Sequence, residues 1–117
     1  MLRHMLKSKI HRAVITDVEL NYEGSIVCDP EWLRLANILP GEKVLVANLN
    51  NGLRFETYAI VGKKLQIGLR GAAARLGQIG DRVIIMAFGL MDEKEAKRSK
   101  PAVVYMNEHN RPHQKGV

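Results

Sequence analysis

Short apolar runs rich in valine, isoleucine and leucine recur about every ten residues, separated by glycine, asparagine and proline, a pattern typical of β-strands. The pattern predicts strands over Ser8 to Thr16, Ser25 to Cys28, Lys43 to Leu49, Leu53 to Val61, Leu65 to Leu69, Arg82 to Phe88 and Ala102 to Met106. Closing the sheet would remove its exposed strand edges. We therefore predict a mainly β fold, a single domain over residues 1–117 that forms a small closed barrel of six to seven strands.

The turns of this barrel are marked by residues that tolerate positive φ. Asn50-Asn51-Gly52 stands between two strand-like runs and predicts a hairpin, and Gly62-Lys63-Lys64 predicts a second turn. The polar segment from Glu108 to Val117, which contains His109 and His113, is expected to be a frayed tail.

Two short helices are predicted between the strands. Asp29 has the character of an N-cap, and Pro30 suits the first position of a helix. This first helix is expected to pack three side chains inward, those of Trp32, Leu33 and Ala36. The second helix runs from Asp92 to Arg98, because its acidic start and basic end suit the helix dipole and Pro101 prevents its continuation.

Composition narrows the class of protein. A chain of 117 residues with 46% hydrophobic and 26% charged residues can bury a core, which argues against disorder. The single cysteine, Cys28, excludes an intramolecular disulfide, so we expect a packing role for this residue and a reducing, cytoplasmic location. The longest apolar run, from Val83 to Met91, is far shorter than the roughly 20 residues that span a bilayer, so no membrane role is expected.

The net charge of +6 leaves one alternative function open. A small basic barrel can present lysine and arginine to nucleic-acid phosphates, and such a binding module would show salt-sensitive affinity. The six aromatic residues do not interleave with the basic ones as a stacking platform for single strands requires. Nucleic acid is therefore the less expected partner.

Several well-known catalytic motifs are absent from the sequence. There is no P-loop, no GxGxxG before a helix, no HExxH and no GxSxG. The four histidines lack the companions and spacing of a metal site, so no metal is expected.

The dipeptide Gly24-Ser25 offers a different chemistry. A serine hydroxyl can attack the carbonyl group of the preceding residue and convert the peptide bond into an ester. A preceding glycine leaves that carbonyl unshielded and tolerates a strained backbone. Elimination from the ester and hydrolysis would then leave a pyruvoyl group at the new N-terminus. Taken alone, however, Gly-Ser is most often an ordinary turn.

Five ordered blocks of sequence resemble the aspartate 1-decarboxylase family, the pyruvoyl-dependent enzymes of bacterial pantothenate synthesis. They are Lys9-Ile10-His11-Arg12-Ala13, Leu20-Asn21-Tyr22-Glu23-Gly24-Ser25, Asn51-Gly52-Leu53-Arg54-Phe55-Glu56-Thr57-Tyr58-Ala59-Ile60, Gly71-Ala72-Ala73-Ala74 and Gly80-Asp81-Arg82-Val83-Ile84-Ile85. The resemblance implies a double-psi β-barrel and a homotetramer with active sites between subunits.

The resemblance also implies how the protein matures and acts. Cleavage between Gly24 and Ser25 would give a β chain, 1–24, and an α chain, 25–117, that begins with a pyruvoyl group made from Ser25. The pyruvoyl carbonyl would form a Schiff base with L-aspartate and accept electrons as the α-carboxylate leaves, giving β-alanine and CO₂. The sequence leaves open whether cleavage is spontaneous or assisted by a maturation factor.

Residue roles follow from the matched positions. By resemblance, Arg54 holds a substrate carboxylate, Tyr58 donates a proton and Thr57 assists processing and contacts substrate. On an extended strand Arg54 and Tyr58 share one face, with their Cα atoms ~13 Å apart. Taken without the resemblance, the three are ordinary strand residues.

The remaining matched positions lie in other blocks. Lys9 is expected near the substrate, and His11, two residues along the same strand face, is expected to support the site, as is Tyr22. By resemblance, the backbone of one small-residue segment approaches the substrate, namely Gly71, Ala72 and Ala73. A tight helical turn is the alternative for this segment.

One position departs from the family pattern. Arg70 stands where the family usually has asparagine before Gly-Ala-Ala-Ala. Arginine adds bulk, a fixed charge and five hydrogen-bond donors. A family member that folds but processes itself slowly is therefore a third hypothesis.

Overall fold

Nine strands form a single sheet in the computed structural model, which describes residues 1–113. The strands are β1 Arg3–Val14, β2 Asp17–Glu19, β3 Ser25–Cys28, β4 Lys43–Asn48, β5 Arg54–Val61, β6 Ile67–Arg70, β7 Arg82–Met91, β8 Ala102–Met106 and β9 Pro112–His113. The helices are α1 Pro30–Leu35, a 3₁₀ helix Gly71–Leu76 and α2 Glu93–Arg98. The prediction of a mainly β fold with short helices is confirmed.

The sheet order explains how the fold encloses a core. The order is β2-β6-β3-β5-β4-β7-β1-β8-β9, and hydrogen bonds do not close it. However, β1 continues into β2 through Ile15 and Thr16 alone, so the chain itself links the first strand of the order to the seventh. The Thr16 N–H donates to the Ile67 carbonyl oxygen at 2.8 Å, which fixes this link beside β6. The sheet therefore curls around its core, as is compatible with the double-psi barrel implied by the resemblance.

The core comes from alternate residues of the curled strands. Along β7, Val83, Ile85 and Ala87 are fully buried, whereas Ile84 and Met86 between them remain partly exposed. Burying one valine or isoleucine side chain contributes roughly 1.5–3 kcal/mol, so this alternation fixes which face of each strand points inward. The outward faces of the strands therefore remain available for a functional site.

Both helix predictions are confirmed. The Asp29 side chain accepts from the Glu31 N–H at 2.8 Å as the N-cap of α1, and Trp32 and Leu33 are buried. Ala36 is also buried, at the C-cap. Asp92 caps α2 in the same way, and Ser99 ends it two residues before the proline.

Two strands were not predicted, and part of the expected frayed tail is ordered. β2 and β9 have three and two residues, too few to show a period of two. β9 pairs with β8, so His113 belongs to a strand. Asn110 is buried and bonds both backbone groups of Val14, at 2.6 and 2.7 Å. The frayed-tail prediction is therefore wrong for Glu108 to His113, and its residues 114–117 lie outside the described part of the chain.

Several predicted element ends shift by a few residues. β1 begins five residues earlier, at Arg3, and β7 ends three later, at Met91, because these two strands pair along almost their whole lengths. β6 begins at Ile67 because the preceding turn comes later than predicted. That turn is closed by the Gln66 N–H donating to the Lys63 carbonyl oxygen at 3.2 Å. The hairpin of β4 and β5 forms as predicted.

Candidate active site

Ser25 lies at the first position of β3, between β5 and β6. It pairs with Arg70 across the antiparallel β3–β6 ladder. On the other side Ile26 pairs with Ala59, so in this parallel register Ser25 is level with Tyr58. The loop 20–24 that precedes Ser25 belongs to no strand. The structure therefore brings the candidate nucleophile and the candidate proton donor to adjacent strands.

The Ser25 hydroxyl is buried without a partner. The residue is 1% exposed, and its Oγ has no hydrogen-bond partner among the described residues. A buried hydroxyl that makes no hydrogen bond costs about 1–3 kcal/mol, a state that Ser25 shares with Ser8 within residues 1–113. An Oγ that is not engaged elsewhere is available to attack the neighbouring Gly24 carbonyl group.

Gly71 packs directly against the loop 20–24. Its φ is +65°, and a methyl group built there would lie 2.7 Å from Gly24 Cα, 2.8 Å from Gly24 N and 2.8 Å from the Tyr22 carbonyl oxygen. Only glycine accepts both this conformation and this approach. The segment starts a 3₁₀ helix in which Ala73 is buried and Ala72 is exposed. The close backbone approach thus occurs at Gly71, and its partner in this chain is the loop backbone at Tyr22 and Gly24, directly before Ser25.

Arg70 stands beside Ser25 but its charge is already compensated. Its Nη1 forms an ion pair with Asp17 Oδ2, and its Cζ lies 5.8 Å from the centroid of the Tyr22 ring. Burial alone would raise the pKa of Asp17, but hydrogen bonds from Gln66, Arg70 and Thr16 and the charge of Arg70 outweigh it and lower that pKa. Asp17 is therefore ionised at neutral pH. A cleft of about 590 Å³ opens beside this pair, lined by Asp17, Val18, Glu19, Asn21, Tyr22 and Arg70.

The site residues of β5 divide between its two faces. Arg54 and Tyr58 are exposed on the outer face, as expected from their spacing. Thr57 is partly buried and pairs with the buried Val44, so it turns to the opposite face. In the β3–β5 register Thr57 is level with Gly24, the residue before Ser25.

Lys9 and His11 are not brought to Ser25 within one chain. They share the outer face of β1, which is separated from β3 by β7, β4 and β5. Four strand spacings correspond to ~19 Å measured along the sheet, so neither residue lies on a strand next to Ser25. His11 instead lies in one cross-strand row with Arg54, because both pair through Ile84 and Ala47.

The His11 ring is held in a partly buried position. It meets the Tyr105 ring edge-on at 5.7 Å between centroids, and its Nδ1 is buried without a hydrogen-bond partner in the part of the chain that the structure describes. Burial first, and then the charges of Lys9 and Arg12, lower the pKa of His11 below 6.5. The imidazole is therefore neutral at pH 7, which avoids repulsion from the positive charges of Lys9 and Arg12.

Cys28 is fully buried at the end of β3, and burial raises the pKa of its thiol to about 12. This confirms its packing role. Within residues 1–113 no group of three or more histidine, cysteine, aspartate or glutamate side chains is arranged to hold a metal ion. Nor does this range contain a helix long and apolar enough to cross a membrane.

Comparison with known proteins places this geometry in a family. The family model described as aspartate decarboxylase matches residues 1–113. The chain belongs to the aspartate decarboxylase family. It is 54% identical over 114 residues to the aspartate 1-decarboxylase of Thermoanaerobacter pseudethanolicus, covering 96% of this chain and 97% of that protein. It is 56% identical over 113 residues to the aspartate 1-decarboxylase of Carboxydothermus hydrogenoformans, covering 95% and 89%. The resemblance recognised in the sequence is thus confirmed for this aspartate decarboxylase family member.

Sequence reasoning identified Ser25 and its neighbours but missed Asp17 and Gly68. Asp17 partners Arg70 from β2, a strand of three residues that the sequence did not predict, and Gly68 lies beneath the pair in β6. An unexplained arginine next to the Gly-Ala-Ala-Ala block was the one signal that a partner carboxylate should be sought.

Proposed function

We propose that this protein cuts itself between Gly24 and Ser25 and, with the pyruvoyl group so formed at position 25, decarboxylates L-aspartate to β-alanine and CO₂ for pantothenate synthesis. The observation that carries the proposal is the buried, unpartnered Ser25 Oγ directly after a loop against which the Gly71 backbone packs. The family of the chain and the enzyme name of its relatives favour this activity over the nucleic-acid-binding alternative.

The cut needs no group from outside the chain except water. Ser25 Oγ attacks the Gly24 carbonyl carbon, the C–N bond to Ser25 breaks, and an ester replaces the peptide. Loss of the Ser25 α-proton then expels the Gly24 carboxylate from Cβ and leaves a dehydroalanine at position 25. Its imine tautomer takes up water and releases ammonia, which leaves the pyruvoyl group.

The surroundings of Ser25 fit such a group. Pairing with Arg70 on β6 holds the backbone of residue 25, the next residue, Ile26, is also paired with β5, and the residue before Ser25 is a glycine with an exposed surface. When present, the pyruvoyl carbonyl supplies an electron sink for decarboxylation. Arg54 would bind a carboxylate of aspartate through its planar guanidinium, and Tyr58 would give a proton to the carbon that loses CO₂.

We further propose a homotetramer whose active sites are shared between subunits. Support comes from the separation within one chain of Ser25 on β3 from Lys9 and His11, which share the outer face of β1. A neighbouring subunit could bring Lys9 to the substrate at Ser25, with His11 supporting that surface. A maturation factor would be required only if the purified chain stays uncut.

Intact mass under denaturing conditions tests the cut. The expected products are residues 1–24 and a chain from position 25 that is lighter, by one ammonia, than a serine-terminated fragment. Ser25→Ala should remain whole and lack aspartate decarboxylation. A wild-type chain that stays whole and yet releases β-alanine would refute the proposed cofactor.

Mixed tetramers test the sharing of sites. Co-expression of Ser25→Ala and Lys9→Ala chains places intact Ser25 and intact Lys9 on different subunits. If the sites lie between subunits, random assembly should restore about a quarter of them. Absence of any recovered activity in verified mixed tetramers would mean that each site is built from one chain.

A further inference from the structure

Arg70 connects the strand edge beside Ser25 to the loop that precedes it. Its backbone pairs with Ser25, and its side chain, 14% exposed, runs to Asp17 on β2. Its guanidinium also lies against the Tyr22 ring of the loop 20–24. One side chain therefore ties β6, β2 and this loop together next to the bond proposed to break.

The fold leaves space for this ion pair at Gly68. A methyl group at that position would lie 2.7 Å from Asp17 Oδ2 and 2.8 Å from Arg70 Nη1. Asp17 and Gly68 are also direct neighbours in the β2–β6 ladder. The absence of a side chain at 68 lets the two charged groups meet close against the backbone.

Asp17 is held in place by two further hydrogen bonds. Its Oδ1 accepts from Gln66 Nε2 at 3.1 Å and from Thr16 Oγ1 at 2.9 Å, while Oδ2 faces Arg70. A carboxylate with both oxygens engaged has little rotational freedom. It therefore fixes the guanidinium, and through it the Tyr22 ring.

We propose that Asp17 and Arg70 act together as positioning residues for self-cleavage, holding the loop 20–24 so that the Gly24 carbonyl carbon faces Ser25 Oγ. This inference rests on the proposed function. The Gly71 backbone packs against the loop, and the Arg70–Tyr22 contact restrains the loop as well. Asp17 has a second effect, because it compensates a cation that would otherwise stand uncompensated beside the reacting peptide.

The pairing with Asp17 gives Arg70 a different role from the one that its position in the sequence suggests. An isolated arginine beside Ser25 would disturb the site through its charge and bulk. Paired with Asp17, it supplies a rigid planar surface for Tyr22 and little net charge. Arg70 thus acts through its contacts with Asp17 and Tyr22.

The test is the rate of self-cleavage in Asp17→Asn, Arg70→Gln and the double variant, followed by intact mass after synthesis of the precursor. Breaking this pair, whose side chains are 14% exposed at Arg70 and 36% exposed at Asp17, should slow cleavage by about fivefold in each single variant. Because the two residues act as one unit, the double variant should be no slower than the slower single variant. Arg70→Lys, which keeps the charge, should recover part of the rate. Glu93→Gln breaks the exposed Arg3–Glu93 pair far from Ser25 and serves as the matched control.

The Tyr22 contact gives a second readout that general loss of stability would not reproduce. Tyr22→Leu, which removes the ring, should slow cleavage by about two- to fivefold, and more than Tyr22→Phe, which keeps the ring. The unfolding temperature of each uncut variant is measured alongside, in a Ser25→Ala background.

The outcomes separate this inference from the function on which it rests. A wild-type chain that never cuts overturns both. A wild-type chain that cuts, with Asp17→Asn and Arg70→Gln cutting within twofold of it, overturns the positioning role alone. Effects of the two substitutions that multiply in the double variant would also overturn it, because independent residues behave in that way.

Discussion

Substituting Gly71 by alanine should disturb the segment before Ser25 more than any similar change elsewhere in the chain. At φ +65° an alanine pays about 1–2 kcal/mol for the left-handed conformation. The new methyl group would also overlap three backbone atoms of Gly24 and Tyr22 at 2.7–2.8 Å, and such overpacking costs a further ~1–3 kcal/mol. The total, about 2–5 kcal/mol, can be relieved only by moving the loop 20–24 away from its place.

The assay compares Gly71→Ala with Gly52→Ala in two measurements, urea unfolding of the uncut form and the time course of cleavage by intact mass. Gly52 has φ +77°, and a methyl group there would meet nothing within 4 Å, so it carries the backbone penalty without the overlap. We expect Gly71→Ala to cut at least about tenfold more slowly than Gly52→Ala, since displacement of the reacting groups lowers rates steeply. Equal cutting rates in the two variants would refute the inferred role of the contact between Gly71 and the loop 20–24 in cleavage.

Three further predictions concern stability and reactivity. Asp29→Ala should lower the free energy of unfolding in urea by about 1–3 kcal/mol, because the carboxylate caps α1 and also accepts from the Leu65 N–H at 2.7 Å. Cys28 should not react with a thiol reagent at about pH 8 while the protein is folded, because its buried thiol has a pKa of about 12; rapid labelling would contradict its burial. Burial and nearby cations lower the pKa of His11 from 6.5, so the stability that neutral His11 provides is complete above pH 6.5 and is lost as the pH falls through the folded-state pKa. His11→Gln should therefore show a smaller drop in unfolding temperature between about pH 7.5 and 5.5, and an unchanged drop would argue against this shift.

Local signals explain which parts of the fold could be predicted. The Asp29 cap and the Asn50–Gly52 turn depend on residues adjacent in the chain, and both form as the sequence indicates. The pairing of β2 with β6 depends on residues far apart in the chain and on strands of three and four residues. A pattern of alternating residues cannot reveal such a pairing, so the neighbours of Arg70 on β2 are known only from the structure.

The residues of the candidate site divide in the same way, into those that the local sequence identifies and those that depend on distant parts of the chain. Gly24, Ser25 and Gly71 are recognisable because they stand in sequence blocks that resemble the family, whereas Gly-Ser taken alone is most often an ordinary turn. Taken without its partner, Arg70 is expected to slow self-cleavage. Asp17 changes that interpretation, because the effect of a buried charge depends on what compensates it and the compensating residue comes from another strand.

The position of Ser25 at the very start of β3 has a consequence for the two stages of the proposed activity. Residue 25 pairs with Arg70 on β6, and residues 26–28 are held by ladders on both sides, whereas the loop 20–24 is restrained by Gly71 and by the Arg70–Tyr22 contact. Cutting the Gly24–Ser25 bond would remove the only covalent tie between these two parts. The new chain end would then stay beside Tyr58, held by its strand neighbours, while the loop is free to move and give a substrate access. The same packing of the loop against β3 can thus hold the Gly24 carbonyl group near Ser25 Oγ before the cut and open a binding site after it, with no rearrangement of the sheet.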